Sequence, residues 1–226
     1  MADTEAGLRR QIIDLCLEMN RNGLNQGTAG NISARWGDRM LITPSATPYE
    51  AMRPEMIASM PLGGDDAPTW DGPLKPSTEW RFHRDILRSR PDAKAVVHAH
   101  PTFATTLAIA RRSIPACHYM IAAFGGTDVR CSDFAIFGTP ELSRTALRAL
   151  EGRSACLLAN HGTIAVGPSL EKAMWLAVEL ETIAKQYYYS LQIEGGPVIL
   201  SDAEIAETAK SFASYGLRDD HKAIAG

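Results

Sequence analysis

Two histidines stand two residues apart at the end of an apolar run, Ala95-Val96-Val97-His98-Ala99-His100. A third, His161, closes a second such run, Cys156-Leu157-Leu158-Ala159-Asn160-His161, and is followed by Gly162. Strand side chains repeat every second residue, so His98 and His100 point to the same face. Two imidazoles from one strand and one from a neighbouring strand end leave a corner of a tetrahedron open. That donor set belongs to a catalytic divalent-metal site, most often zinc, rather than to a closed structural one. A lone buried histidine is more often a hydrogen-bonded core residue. The third histidine, at the same kind of strand end before a tight turn, tips the pair toward a metal. His83, His118 and His221 have weaker claims. His221 lies in a polar tail and reads as solvated; His83 falls one helical turn after Glu79 and reads as its partner.

Further residues carry chemistry. Glu79 is a candidate base: in the first turn of a helix a glutamate ordinarily answers the dipole, but near a metal it is a weak fourth ligand and a carboxylate able to take a proton from carbon. The loop Asn25-Gln26-Gly27-Thr28-Ala29-Gly30-Asn31 offers an amide and backbone N–H groups. Thr43-Pro44-Ser45-Ala46-Thr47-Pro48 adds hydroxyls, and Ser77 and Thr78 stand where the helix of Glu79 begins. Singly, each reads as a cap or a turn. Together, beside a metal, they point to a phosphorylated substrate, since loop amides and a helix N-terminus both favour an anion.

The elements that must position these groups can be read from periodicity. Leu8, Ile12, Leu15, Cys16 and Met19 recur at helical spacing, with Gly23 as the stop. Short strands are expected over 32–35, 40–43 and 56–60. A helix runs from Pro76-Ser77-Thr78-Glu79 to Arg90, stopped by Pro91, and the strand of His98 and His100 follows. Helices are expected over 102–111, 140–150 and 170–191. The segments 155–160 and 163–166 form a hairpin around His161-Gly162. Ser201-Asp202-Ala203-Glu204 opens a last helix with a capping box. Several strands follow one another directly, and no G-x-G-x-x-G follows the first. The expectation is a single α/β domain over residues 1–226 with a mainly antiparallel or mixed central sheet covered by helices.

Composition sets the bounds. The 226 residues are 45% hydrophobic and 22% charged, with a net charge of -3, ordinary for one globular domain with a full core. No basic stripe points to nucleic acid, no apolar stretch approaches a membrane span, and the N-terminus lacks the regions of a signal peptide. The four cysteines, Cys16, Cys117, Cys131 and Cys156, make no C-x-x-C pair and no disulfide framework. A cytoplasmic enzyme without nucleic-acid or membrane partners is the default.

The chain resembles the class II aldolase/adducin family, and within it the members that act on L-fuculose 1-phosphate. The segments that carry the likeness are Gly23 to Asn31, Leu41-Ile42-Thr43-Pro44, Ser77-Thr78-Glu79-Trp80-Arg81-Phe82-His83, Val96 to His100, Ser113-Ile114-Pro115 and His118 to Ala123. Phe137-Gly138-Thr139, His161-Gly162 and Ser214-Tyr215-Gly216-Leu217 continue it. The resemblance implies that His98, His100 and His161 hold zinc, or another divalent ion such as manganese or cobalt. Glu79 is implied to be the acid/base carboxylate, touching the metal before substrate arrives. Asn31, Ser45, Ala46, Ser77 and Thr78 fall where the family binds phosphate, with Gly30 and Thr28 beside them. Tyr119 matches a tyrosine that serves the neighbouring subunit's site at the aldehyde oxygen. Phe137 matches an aldehyde-pocket residue, and Tyr215 one on a mobile C-terminal tail beginning near residue 213. A homotetramer with sites between subunits is also implied.

The implied reaction is reversible cleavage of a ketose 1-phosphate, of the L-fuculose type or a 5-deoxy- or 5-methylthio-ribulose 1-phosphate, to dihydroxyacetone phosphate and an aldehyde. Ser45-Ala46 replaces Thr-Gly, Thr78 replaces a serine, and Asn160 replaces a histidine; Phe124, Thr127, Asp128 and Arg130 also depart from the pattern near Tyr119. Alternatives on the same scaffold are a methylthioribulose-phosphate dehydratase, a sugar-phosphate epimerase and a decarboxylase. The epimerase carries aspartate where Glu79 stands. A non-enzymatic, adducin-like binding domain lacks the histidine ligands.

Overall fold

The computed structural model describes residues 4–64 and 68–214. The elements are α1 (Glu5–Arg21), β1 (Asn31–Trp36), β2 (Arg39–Ile42), β3 (Ala58–Pro61), α2 (Trp80–Ser89), β4 (Ala95–Ala99) and α3 (Thr102–Ile109). They continue with β5 (Ile114–Pro115), β6 (Asp128–Val129), α4 (Pro140–Ala149), β7 (Ala155–Leu158), β8 (Gly162–Gly167), α5 (Leu170–Ser190) and α6 (Asp202–Ser214). Six strands form one sheet in the order β3-β2-β1-β4-β8-β7, and β5 pairs with β6 apart from it. Every pairing in the sheet is antiparallel. The expected α/β architecture holds, in its antiparallel form.

Both faces of the sheet are covered, and strand alternation decides which side chain goes where. Ala95, Val97 and Ala99 of β4 join Ile12, Cys16 and Met19 of α1, Leu107 of α3 and Leu180 of α5 in one buried cluster. Val96 turns to the other face, with Met40, Ile42, Ile164 and Val166, under Phe82 and Ile86 of α2 and Leu142 and Ala146 of α4. His98 alternates with Val97 and Ala99, so it faces the α2 side.

Two boundaries differ from the sequence expectation. The strand expected from Met56 begins at Ala58, because Pro54–Met56 wind a 3-10 turn with proline in its first positions. The helix expected from Pro76 begins at Trp80, with Glu79 as its N-cap residue. The cause is pairing: Ser45 N–H donates to Lys75 O and Ser77 N–H to Thr43 O, both at 2.9 Å, which holds residues 75–77 extended. Trp80 N–H then closes on Ser77 O at 3.0 Å and the helix starts there. The capping box at Ser201 is present: Glu204 Oε2 accepts from Ser201 N–H, and Ser201 Oγ accepts from Glu204 N–H.

Candidate active site

The three histidines meet as their spacing demands. β1 and β8 flank β4, placing His98 opposite Asn31 on one side and Ile164 on the other. His100 lies one residue past β4. His161 sits in the β7–β8 turn behind Asn160, whose φ of 55° is left-handed, a conformation asparagine tolerates better than most residues. The donor nitrogens of the three all lie within 4.8 Å of one another.

His98 is fully buried, and its Nδ1 is 2.8 Å from the carbonyl oxygen of Thr163. A carbonyl only accepts, so Nδ1 carries a proton and Nε2 is the nitrogen turned to the cluster. Nε2 of His100 stands 2.9 Å from it. Glu79 closes the group from the N-cap of α2: its Oε2 is 3.1 Å from His98 Nε2 and its Oε1 is 3.3 Å from His161 Nε2. Oε1 is buried and receives no hydrogen bond. Converging imidazole nitrogens, a buried carboxylate and an unpartnered carboxylate oxygen are the surroundings a divalent cation requires. The residues fit the metal.

The electrostatics agree. Burial alone would raise the Glu79 carboxyl, but His98, His161 and the Asn31 amide hold it far below the usual carboxylate range. Burial works against charge on His98 too, yet the Glu79 carboxylate and the Thr163 carbonyl lift its pKa above the ordinary value. His100 is pushed down to about 3 and His161 to about 4, by burial first and by the charge of His98 second. Two ligands are thus already deprotonated at neutral pH, and one proton is left for a metal to displace.

Glu79, His100 and His161 line a cavity of about 400 Å³, and the fully buried His98 packs against them. Ala29, Thr78, Phe134, Ala135, Ile136, Phe137 and Asn160 complete the lining. Phe134, Ile136 and Phe137 are each more than half exposed, so an apolar wall stands at the mouth.

The other predicted site residues are placed as follows. Thr78 and Phe137 reach the cavity. Ser77 is buried, its Oγ accepting from Glu79 N–H at 3.3 Å, and so holds the N-cap. Thr28 is exposed; Gly30 is buried and its carbonyl accepts from the Tyr49 hydroxyl at 2.6 Å. Ser45 pairs through its backbone with Lys75, beside Ser77 in the same bridge, and Ala46 follows it, exposed. Asn31 is turned differently from the expectation. Its amide donates to Glu79 Oε2 at 2.9 Å, and its oxygen bonds His83. Tyr119 is not part of its own chain's cavity lining; it is half exposed at the start of a 3-10 helix, against His118 and Phe212. Tyr215 and His221 lie outside the described residues.

The expected pairing of His83 with Glu79 is replaced. His83 is fully buried and bonds Ser33 Oγ at 2.7 Å and Asn31 Oδ1. His118 caps the 3-10 helix, its Nδ1 accepting from Met120 N–H at 3.2 Å. Sequence reasoning missed Ser33, the Thr163 carbonyl and the wall of Phe134 and Ile136. The alternation Asn31-Ile32-Ser33-Ala34 was the available signal for Ser33. Nothing in residue type marks a backbone carbonyl.

Comparison with known proteins gives a consistent result. The sequence profile described as Class II Aldolase and Adducin N-terminal domain matches residues 10–188. The chain is 50% identical over 216 residues to a 5-methylthioribulose-1-phosphate/5-deoxyribulose-1-phosphate aldolase of Rhodospirillum rubrum, covering 96% of each chain. It is 52% identical over 211 residues to L-fuculose phosphate aldolase of Escherichia coli K12, covering 93% of this chain and 96% of that one. Among solved structures, an L-fuculose 1-phosphate aldolase superposes with a TM-score of 0.86 at 37% identity, over 91% of this chain and 96% of that one.

Proposed function

This chain belongs to the class II aldolase and adducin family, and we propose that it is a zinc-dependent aldolase cleaving a ketose 1-phosphate reversibly into dihydroxyacetone phosphate and a short aldehyde. The observation that carries the reading is the convergence of His98, His100, His161 and Glu79, three of which line the cavity. The three histidines hold the ion. When bound, it supplies Lewis-acid stabilisation of the negative charge that cleavage leaves on the dihydroxyacetone phosphate half.

The chain's own residues supply the rest. Glu79 moves the C3 proton, in the synthetic direction as base and in the cleavage direction as acid. Its buried, ionised carboxylate suits a base beside a cation. The phosphate is received by the backbone and hydroxyls of Thr28, Gly30, Ser45, Ala46, Ser77 and Thr78. Asn31 contributes there through its backbone, its side chain being engaged with Glu79. The Tyr119 phenol, an O–H donor, gives its proton to the aldehyde oxygen in a neighbouring subunit of a homotetramer. Half-exposure of Tyr119 away from its own cavity supports that division of labour. Tyr215, outside the described residues, is assigned to the aldehyde side by the family resemblance alone. We place the enzyme in the cytoplasm: its cysteines are all free, and no helix among the described residues is long and apolar enough to cross a membrane.

The apolar wall of Phe134, Ile136 and Phe137 favours an aldehyde ending in a methyl or methylthio group over one ending in hydroxyls. That supports a 6-deoxy, 5-deoxy or 5-methylthio ketose phosphate. The test is product analysis with a panel of ketose 1-phosphates. Dihydroxyacetone phosphate plus the matching aldehyde is the expected result. Loss of water with the carbon chain intact would establish a dehydratase instead, and inversion at one carbon an epimerase.

A further inference from the structure

We propose that His83 is a positioning residue for Glu79, acting through Asn31 in a one-way hydrogen-bond relay that begins at Ser33. The inference rests on the reading of Glu79 as the carboxylate that moves the substrate proton.

The relay follows from the pleat of β1. Ile32 and Ala34 enter the core on the α1 side, so Asn31 and Ser33 turn to the α2 side. Both are buried there, at 5% and 0% exposure. Two polar side chains on a core face need partners, and one ring serves both. His83, one turn into α2, places Nδ1 2.7 Å from Ser33 Oγ and Nε2 on Asn31 Oδ1. Asn31 then donates from Nδ2 to Glu79 Oε2 at 2.9 Å.

The proton positions are determined from the carboxylate end. An ionised carboxylate only accepts, so the Asn31 atom facing Glu79 is its nitrogen, and its oxygen faces His83. His83 Nε2 must therefore donate. A neutral imidazole that donates from Nε2 accepts at Nδ1, so the Ser33 hydroxyl donates there. The donors run in one sense: Ser33 O–H to His83, His83 N–H to Asn31, Asn31 N–H to Glu79. Each bond polarises the next toward the carboxylate. Phe82 stacks on the His83 ring at 4.5 Å and 23°, which fixes its rotation.

The consequence falls on Glu79. Its two oxygens sit 3.1 and 3.3 Å from His98 and His161 Nε2, and the carboxylate could swing between those ligands. The Asn31 amide holds Oε2 beside His98. Oε1, which has no hydrogen-bond donor, is left as the atom that takes the proton. His83 touches neither substrate nor metal; it decides which carboxylate oxygen is free.

The test uses His83→Phe, which keeps the ring and its stack but removes both hydrogen bonds, together with the milder Ser33→Ala. In metal-loaded His83→Phe protein, kcat for cleavage and the rate of C3 proton exchange should fall together by about 10–100-fold, with KM changed less than about threefold. Ser33→Ala should lower the same two rates by about 2–10-fold, the worth of one hydrogen bond, and it carries the test if His83→Phe does not fold. Nitrogen-15 NMR of histidine-labelled protein gives a reading independent of turnover. His83 should be protonated on Nε2 and bare on Nδ1 from pH 5.5 to 8, and its Nε2 signal should move in Glu79→Gln. Protonation on Nδ1, or a lowered Tm with wild-type kcat in both variants, overturns the relay. A wild-type protein that neither cleaves nor exchanges overturns the aldolase reading instead, while the NMR result still decides the relay.

Discussion

Gly162 lies flat beneath the ring of His100: a Cβ on it would stand 2.5 Å from His100 Cδ2 and 2.6 Å from the carbonyl oxygen of Ala99. The backbone oxygen cannot yield, so the residue after His161 must be glycine for His100 to keep its place. Gly162→Ala is expected to push His100 off the cluster and weaken divalent-ion affinity by about 10–100-fold, as disturbance of supporting contacts does. Titration against a chromophoric chelator measures it, and an unchanged affinity would refute the packing argument.

Metal binding should release protons in a pattern set by the three imidazoles. His98 has a raised pKa, so without metal it holds its proton at and above the ordinary histidine range, whereas His100 and His161, at about 3 and 4, are already bare. Affinity is therefore expected to rise with pH until His98 has titrated and then to level off. It should collapse at low pH as His161 and then His100 protonate. Calorimetry in buffers of different ionisation enthalpy should give about one proton released per ion on the rising limb. Release of two or more at pH 7 would contradict the assignment.

Glu79→Gln should keep about one ion per chain, because the three histidines remain, yet lose the exchange of the C3 proton of dihydroxyacetone phosphate with solvent by about 10²–10⁴-fold. Exchange followed by proton NMR checks it. Undiminished exchange removes Glu79 from the proton transfer.

Under its proposed role at the aldehyde oxygen, Tyr119→Phe should retain that exchange while cleavage falls by about 10²–10⁴-fold. Mixed oligomers of Glu79→Gln and Tyr119→Phe subunits should regain activity that neither has alone. A fully active monomer, or equal loss of both rates, would assign Tyr119 to packing.

Glu181 of α5 accepts from Phe103 N–H at 2.9 Å and Ala104 N–H at 2.8 Å, capping α3, whose own N-cap residue Pro101 offers no side-chain bond. Removing it in Glu181→Ala should cost about 0.5–2 kcal/mol, the worth of an N-cap. Urea denaturation measures the loss, and a midpoint matching wild type would mean that the cap contributes nothing.

The histidine spacing was legible because it rests on the period of a strand, and the hairpin that carries His161 because small and apolar residues bracket it. The helix start moved from the expected Pro76 to Trp80 because its cause is a long-range pairing of residues 43–45 with 75–77, which local sequence does not display. His83 was misassigned for a related reason. Helical spacing pairs it with Glu79, whereas burial against β1 turns it to Ser33 and Asn31. Asn31 likewise reads as a loop residue near an anion, and only the register opposite His98 shows that its amide belongs to the carboxylate.

β4 is bonded along both edges, to β1 and to β8, near the middle of the six-stranded order. Its position makes the ligand cluster a preassembled receptor rather than a folding nucleus that waits for its ion. The chain entropy of gathering His98, His100 and His161 is spent when the sheet forms, so stripping the ion leaves the scaffold standing. The amides of β4 should be among the last to exchange with deuterated solvent, in stripped and loaded protein alike. An enzyme built this way can lose its ion and take up another without unfolding, and the ion it carries is then set by supply and by the ligand set.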